Sequence, residues 1–302
     1  MTDAAPSGSV RTETDGRVCK ITVDNASKKN AFTPDMMQRL SEALTAFDDD
    51  DALWVAVLCF AGDHTTAGLD MPKFFGPNRE PRDTQPGNVD PFALRRRTLK
   101  PVVAAVQGLC LTVGIEMMLA ADIVIAADTA RFCQMESKRG IAPLGGAHFR
   151  FLTRTGWGNA MYHLMLCDEF DANRALQIGL VQEVVPAGRQ VARAVEIAQR
   201  IAGNAPLGLR AMKEAALKYI EAGESMAVAR NAASAVRPEV EEQPQRLPGG
   251  GTSPPASAPP SAPASAPASA PAPAPASSSA ASAWTDFGTA CAAAACLAAR
   301  RS

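Results

Sequence analysis

Two short apolar runs constrain the fold of this chain more than any other feature. Trp54-Val55-Ala56-Val57-Leu58-Cys59-Phe60 and Val102-Val103-Ala104-Ala105-Val106 contain no polar residue. A strand with one wet face alternates apolar and polar side chains, so a run without alternation reads as a strand covered on both faces. The first run leads into the loop Ala61–Gly68, and the second leads directly into Gly108–Gly114.

Helix-like sequence surrounds these runs. Val18, Ile21 and Val23 predict a strand ending at Asp24-Asn25. Thr33-Pro34-Asp35 then reads as a helix start, with Thr as N-cap, Pro in the first turn and an acid beside the positive end of the dipole. Met36, Met37, Leu40, Leu44 and Phe47 continue at helical spacing, and Asp48–Asp51 end the segment. Residues Gly76–Pro91 hold several Pro and Gly and predict a mobile loop. A helix over Ile115–Ala121 and a third strand over Ile123–Ala127 follow. After Gly145-Gly146 the pattern is mainly helical, over Phe149–Thr153, Asn159–Leu166, Ala172–Ile178, Arg189–Ala202 and Leu207–Ala222, with a short strand at Val181–Val185. Alternating strands and helices predict an α/β fold with a helical C-terminal region.

The organisation along the chain is uneven. Residues 1–16 are polar, lack the apolar centre of a secretory signal and are expected to be a flexible N-terminus. Residues 17–235 hold the folding pattern. From 236 to 302 the chain is dominated by Pro, Ala, Ser and Gly, too poor in large apolar groups to offset its chain entropy, and a disordered tail is expected there. The formal net charge of −1 gives no long-range attraction to nucleic acid or to an anionic membrane. No uncharged apolar run reaches the ~20 residues of a membrane span. The seven cysteines form no C-x-x-C pair, and Cys59 and Cys110 sit in apolar runs, so buried, reduced thiols in a cytoplasmic protein are expected.

Several familiar sites have no support. There is no G-x-G-x-x-G, no G-x-x-x-x-G-K-[ST], no H-E-x-x-H and no G-x-S-x-G. The three histidines, His64, His148 and His163, are widely spaced, and His163 reads as a packed or surface residue. Two strand-to-helix junctions remain, Thr66–Met71 and Gly108–Glu116. Helix starts expose unpaired backbone N–H groups and partial positive charge. Two such ends aimed at one point would make an oxyanion hole, although glycine-bearing junctions of this kind are also common as plain connections. Glu116 opens an otherwise apolar helix, and Glu136 ends the strand-like Phe132-Cys133-Gln134-Met135. Singly, the first reads as a dipole-compensating acid and the second as a solvated loop acid. Together, on either side of a water and beside a polarised carbonyl, two acids could remove and deliver protons.

The order of these segments resembles the crotonase superfamily of enoyl-CoA hydratases and isomerases across about residues 17–225. The resemblance rests on Lys28-Lys29-Asn30-Ala31-Phe32, Ala67-Gly68-Leu69-Asp70, Lys100–Gly108, Gly114-Ile115-Glu116, Ala120-Ala121-Asp122-Ile123, Ala130-Arg131-Phe132, Glu136, Gly140-Ile141-Ala142-Pro143 and Ala172–Val185. It implies a spiral of ββα units followed by helices, assembled as a trimer or a pair of trimers, acting on an acyl-CoA thioester. It implies that the Leu69 and Val113 N–H groups form the oxyanion hole. It further implies that Glu116 activates water for attack at C3 and Glu136 delivers a proton to C2. Coenzyme A would lie along Lys28–Ala31 and Ala67–Met71, touching Lys29, Ala31, Ala67, Gly68, Asp70 and Met71. No metal and no cofactor are expected, because coenzyme A is part of the substrate. The activity expected is hydration of a 2-enoyl-CoA. Isomerase, hydrolase or decarboxylase chemistry, or silent acyl-CoA binding, are the alternatives.

Three departures from the family pattern stand out. Thr112-Val113-Gly114 replaces a glycine run, which strains the backbone if Val113 must take a positive φ. Ser137-Lys138-Arg139 makes one wall more basic, and is read as a surface turn. Family-like sequence stops near Ala235, where the Pro/Ala/Ser tail begins.

Overall fold

A computed structural model describes residues 8–75, 85, 87–140 and 142–234 of the chain. The polar N-terminal stretch departs from expectation: residues Ser9–Asp15 form a strand, β1, paired antiparallel with β2, Val18–Asp24. The register places Asp15 opposite Val18, so Gly16-Arg17 is a two-residue hairpin turn, and Gly16 takes φ +57. β1 is an edge strand with largely exposed side chains, which is why it carries no apolar signal.

A helix, α1 (Pro34–Asp49), follows and is capped as its sequence predicts, the Met36 N–H donating to Thr33 Oγ1. Both apolar runs are strands buried at every position, β3 (Val55–Phe60) and β4 (Val102–Val106). Between them lies a five-residue helix, α2 (Met71–Phe75). The expected loop Gly76–Pro91 falls largely outside the described residues. After β4 come β5 (Leu109–Leu111), α3 (Val113–Ala120), β6 (Ile123–Ala127) and β7 (Arg131–Cys133). Next is a 20-residue helix, α4 (Ala147–Leu166), then β8 (Phe170–Asp171), α5 (Ala172–Gln177), β9 (Glu183–Val185), α6 (Gln190–Ala202) and α7 (Pro206–Ser234). The two helices expected over 149–166 are present: Ala147–Leu166 consists of two helical segments that meet at Gly156, which holds the non-helical φ 75 and ψ 165. Residues 236–302 lie outside the described residues.

The strands form a six-stranded sheet in the order β1-β2-β3-β4-β6-β9 and a three-stranded sheet in the order β5-β7-β8. From β2 onward the large sheet is parallel. Successive units send one strand to the large sheet, the next to the small sheet and then a helix, as in β4-β5-α3 and β6-β7-α4. This is an α/β fold, as the sequence pattern predicts, and its repeated units form the spiral that the family resemblance implies.

The two-sided burial has a direct structural cause. On one face Val55, Val57, Cys59, Val103, Ala105 and Ile125 pack with Ala194 and Ala198 of α6. On the other, Ala56, Leu58, Ala104 and Val106 pack with Met36 and Leu40 of α1 and Ile115 and Met118 of α3. Alternate residues of each strand serve opposite layers, so neither face can be polar. The parallel order also puts the ends of β3 and β4, and the loops that follow them, at the same edge of the sheet.

Candidate active site

The loop after β3 is built around Asn30. This side chain is fully buried and sits in a left-handed conformation at φ +52. Its Nδ2 donates to Ala61 O at 2.8 Å and to His64 O at 2.7 Å, and its Oδ1 accepts the Asn25 N–H at 2.7 Å. Asn30 O accepts from Thr66 Oγ1 at 2.7 Å, and the same hydroxyl accepts the Gly68 N–H at 3.0 Å. Three chain segments are thus fixed by one amide and one hydroxyl.

This network orients Leu69. Phe32 N–H donates to Gly68 O at 2.9 Å, and Asp70 N–H donates to Phe32 O at 2.8 Å. Leu69 lies between those bonds in a parallel bridge to Phe32, so its own N–H points away from Phe32. Among the described residues it has no hydrogen-bond acceptor. The second loop lies alongside. Thr66 bridges Cys110 of β5, and a Cβ on Gly68 would stand 3.0 Å from Thr112 Oγ1. Val113 is the first residue of α3, so its N–H has no acceptor within the helix. The two predicted donors therefore belong to loops in contact.

The strain expected at Val113 falls one residue earlier. Val113 is helical, whereas Thr112 holds φ 49 and ψ −109, outside the regions a β-branched residue normally occupies. The Thr112 N–H donates to Cys133 O at 3.1 Å, which ties the strained turn to the end of β7.

The two glutamates are both buried, Glu116 at 3% exposure and Glu136 at 7%. The solvated-loop reading of Glu136 alone does not hold. Glu116 stands in the first turn of α3 and receives the Ala147 N–H on Oε1 at 3.4 Å. A Cβ on Gly145 would overlap the Glu116 carboxyl, so a larger residue there would displace this acid from its present place against the start of α4. Burial, and then the charge of Glu136, push the Glu116 carboxyl up to about 8, against the backbone N–H groups of Ala147 and Gly145 and the more distant Arg150 cation. Burial also raises Glu136, opposed by its own backbone and by the Gln134 amide. Glu136 opens a 3-10 turn, Glu136–Arg139, whose Ser137, Lys138 and Arg139 are exposed, and Lys138 pairs with Asp168 at 3.0 Å. The basic tripeptide is a surface turn, as read.

The residues expected along coenzyme A share one rim. Ala67 N–H donates to Lys29 O at 2.9 Å, and Lys28 Nζ stands 3.9 Å from Asp70. Lys29, Ala67 and Met71 are exposed, Ala31 and Asp70 are half-buried and Gly68 is buried. A cavity of about 130 Å³ lies elsewhere, toward the C-terminal end of α3, and neither glutamate lines it. His163 is packed on Phe170 with ring centroids 4.2 Å apart, and the five described cysteines are buried free thiols.

The sequence model of the enoyl-CoA hydratase/isomerase family matches residues 13–243. The chain belongs to this family. Among curated members of similar sequence, the enoyl-CoA hydratase EchA19 of Mycobacterium tuberculosis is 29% identical over 203 residues, covering 65% of this chain and 76% of that protein. A short-chain-enoyl-CoA hydratase of Clostridium acetobutylicum is 32% identical over 207 residues, covering 67% and 78%. A solved structure of a probable enoyl-CoA hydratase/isomerase from Mycobacterium abscessus superposes with a TM-score of 0.66 at 40% identity, covering 75% of this chain and 89% of that one.

Asn30, Gln134, Gly145 and Arg150 were not singled out as site residues by pattern. Asn30 lay in plain view inside a family-like pentapeptide, and Gly145-Gly146 was visible only as a boundary. The geometry of this candidate site leads to two expected outcomes. Thr112→Gly removes the backbone strain, of order 1–3 kcal/mol, at a smaller cost in chain entropy. A net gain of about 1 kcal/mol in urea unfolding is expected, and a loss would show that Thr112 is unstrained. Glu116 binds its proton more tightly folded than unfolded, so wild-type stability falls as pH rises from about 4.5 to about 8, by up to ~1.4 kcal/mol per unit. Glu116→Gln carries no such penalty. Its melting temperature should exceed wild type by a margin that widens from pH 5 to pH 8, and a constant margin would contradict the raised pKa.

Proposed function

We propose that the chain hydrates a 2-enoyl-CoA thioester. The observation that carries this reading is the burial of two acids, Glu116 in the first turn of α3 and Glu136 at the opening of the turn after β7. Adding water to a conjugated thioester builds negative charge on the carbonyl oxygen. The Leu69 and Val113 N–H groups would hold that oxygen, and loss of one donor in such sites typically costs about 3–4 kcal/mol.

Hydration needs one proton taken from water and one given to C2. A pair of carboxyls holding one proton between them can do both. Burial keeps a proton on Glu116 near neutrality, and its transfer to Glu136 through a substrate water would give the reactive arrangement. Glu116 then accepts from water attacking C3 and Glu136 donates to C2. Coenzyme A lies along Lys28–Ala31 and Ala67–Met71, with Lys29, Ala31, Ala67, Gly68, Asp70 and Met71 as its contacts. An isomerase shares the oxyanion hole but needs no acid on each side of a water. The filled Glu116 and Glu136 positions favour hydration.

Purified protein with crotonyl-CoA should bleach the absorbance of the conjugated thioester and yield a product heavier by one water. A product of unchanged mass would assign isomerisation instead. Glu136→Gln should lower kcat by at least 10²-fold, and an unaffected rate removes Glu136 from the chemistry. The wild-type rate should fall as pH rises through about 8, where the pair loses its proton.

The outward face of α4 supports assembly with further copies. Trp157 and Met165 are 67% and 71% exposed, with Tyr162 and Leu166 beside them. A homotrimer, or a pair of trimers, would cover them. Light scattering should give a multiple of three chains, and Trp157→Asp should shift the population toward monomer. A monomeric wild type would exclude the assembly.

A further inference from the structure

A threonine at a helix start ordinarily turns its hydroxyl back to accept a backbone N–H of the first turn. Thr33, before α1, does this: its backbone is extended and its Oγ1 accepts the Met36 N–H at 3.2 Å. Thr112, before α3, does not. At φ 49 and ψ −109 its backbone lies outside the extended region that a cap requires, and its side chain makes no cap bond. Both of its main-chain groups are engaged, the N–H with Cys133 O and the carbonyl with the Glu116 N–H, each at 3.1 Å. The half-buried hydroxyl has no hydrogen-bond partner among the described residues.

The place of that hydroxyl is fixed from two sides. A Cβ on Gly68 would stand 3.0 Å from Thr112 Oγ1, so the oxygen lies within about 4.5 Å of the Gly68 Cα, next to the peptide that carries the Leu69 N–H. Covalent geometry keeps the same oxygen within about 5 Å of the Val113 nitrogen. The hydroxyl therefore stands in the seam between the loops that bring Leu69 and Val113 together. Gly68, at φ +111 and without a side chain, leaves room for it.

We propose that the Thr112 hydroxyl is a third donor to the thioester oxygen, beside the Leu69 and Val113 N–H groups, and thus a catalytic residue. This role rests on the acyl-CoA reading above and goes beyond it, because the glycine run of the family pattern has no side chain at this place. The strain points the same way. A β-branched residue at positive φ costs free energy that glycine would not, and such outliers cluster at ligand clamps. A hydroxyl hydrogen rotates to suit its acceptor, so it can follow an oxygen on which charge is building. The donor is also neutral, so it adds no buried charge beside Glu116. A hydroxyl that met only solvent would leave the carbonyl unchanged when removed.

Infrared spectra of butyryl-CoA, labelled with carbon-13 at the thioester carbonyl and bound to the full chain, read hydrogen bonding at that oxygen without turnover. Binding to the wild type should lower the carbonyl frequency below its value in water. Thr112→Val keeps the branched shape and the strain and removes only the hydroxyl. Its bound carbonyl should absorb between the wild-type and free positions, with the melting temperature little changed, and kcat for crotonyl-CoA should fall roughly 10–100-fold. Thr112→Ser, which returns the hydroxyl, should bring the frequency back toward wild type. Thr112→Gly should match Thr112→Val, and it decides the matter if the valine variant fails to fold. One frequency shared by wild type, Thr112→Val and Thr112→Gly overturns the proposal, as does a serine variant that behaves like valine. A raised frequency in the valine and glycine variants of a protein that leaves crotonyl-CoA unaltered upholds the third donor and removes the hydratase reading alone. A wild type that binds no butyryl-CoA overturns both.

Discussion

Burying a carboxyl group costs free energy that only fixed dipoles, a counter-charge or a proton can offset. Glu116 has the first and the third, and of the second only the more distant Arg150 cation. The start of α3 and the N–H groups of Gly145 and Ala147 favour its charge, but burial and Glu136 outweigh them, so a proton stays on the acid near neutrality. That balance governs its surroundings. Glycine at position 145 leaves room for the carboxyl, which a Cβ there would displace. The first residues of α4 must present their amides inward, and Arg150 beneath them is committed to Phe92 O and Ala93 O, holding the preceding loop in place.

The backbone donors depend on a different set of constraints. Leu69 is aimed by bonds on either side of it, and those bonds depend on the buried Asn30 amide and the Thr66 hydroxyl. Val113 is aimed by the strained Thr112, which a neighbouring strand holds through Cys133 O. Preorganised dipoles stabilise developing charge because their cost is met during folding. The left-handed Lys29 and Asn30 and the outlying Thr112 are where that cost is visible. A residue with ordinary geometry at these positions would relax the loops that carry Leu69 and Val113.

These features were unequally legible in the sequence. β3 and β4 could be read outright, because two-sided burial leaves an unbroken apolar run, and α1 because its cap, proline and spacing agree. β1 could not, since an exposed edge strand has no apolar face; the only trace was Asp15-Gly16. The three strands of the small sheet are two or three residues long and carry no period. Glu116 and Glu136 became candidates through their place in an ordered set of motifs, not through local pattern, which favoured ordinary roles for each. Gln134 was invisible as a site residue because its place beside Glu136 shows in one hydrogen bond, from Nε2 to Oε1, which composition does not encode.

The position of Glu116 links binding to proton transfer. The N-terminal dipole of α3 serves two negative groups: the Glu116 carboxylate in its first turn and, on the hydratase reading, a thioester oxygen at the Val113 N–H. As that oxygen gains charge, its repulsion strengthens the hold of Glu116 on a proton, so charge development at the carbonyl makes this acid a better acceptor for the proton leaving water. Glu136 lies on a separate turn, and its affinity is raised by burial and lowered by its own backbone N–H and the Gln134 amide instead. Two acids of the same chemical type thereby respond differently to the same event, which is what a reaction that must accept one proton and donate another requires.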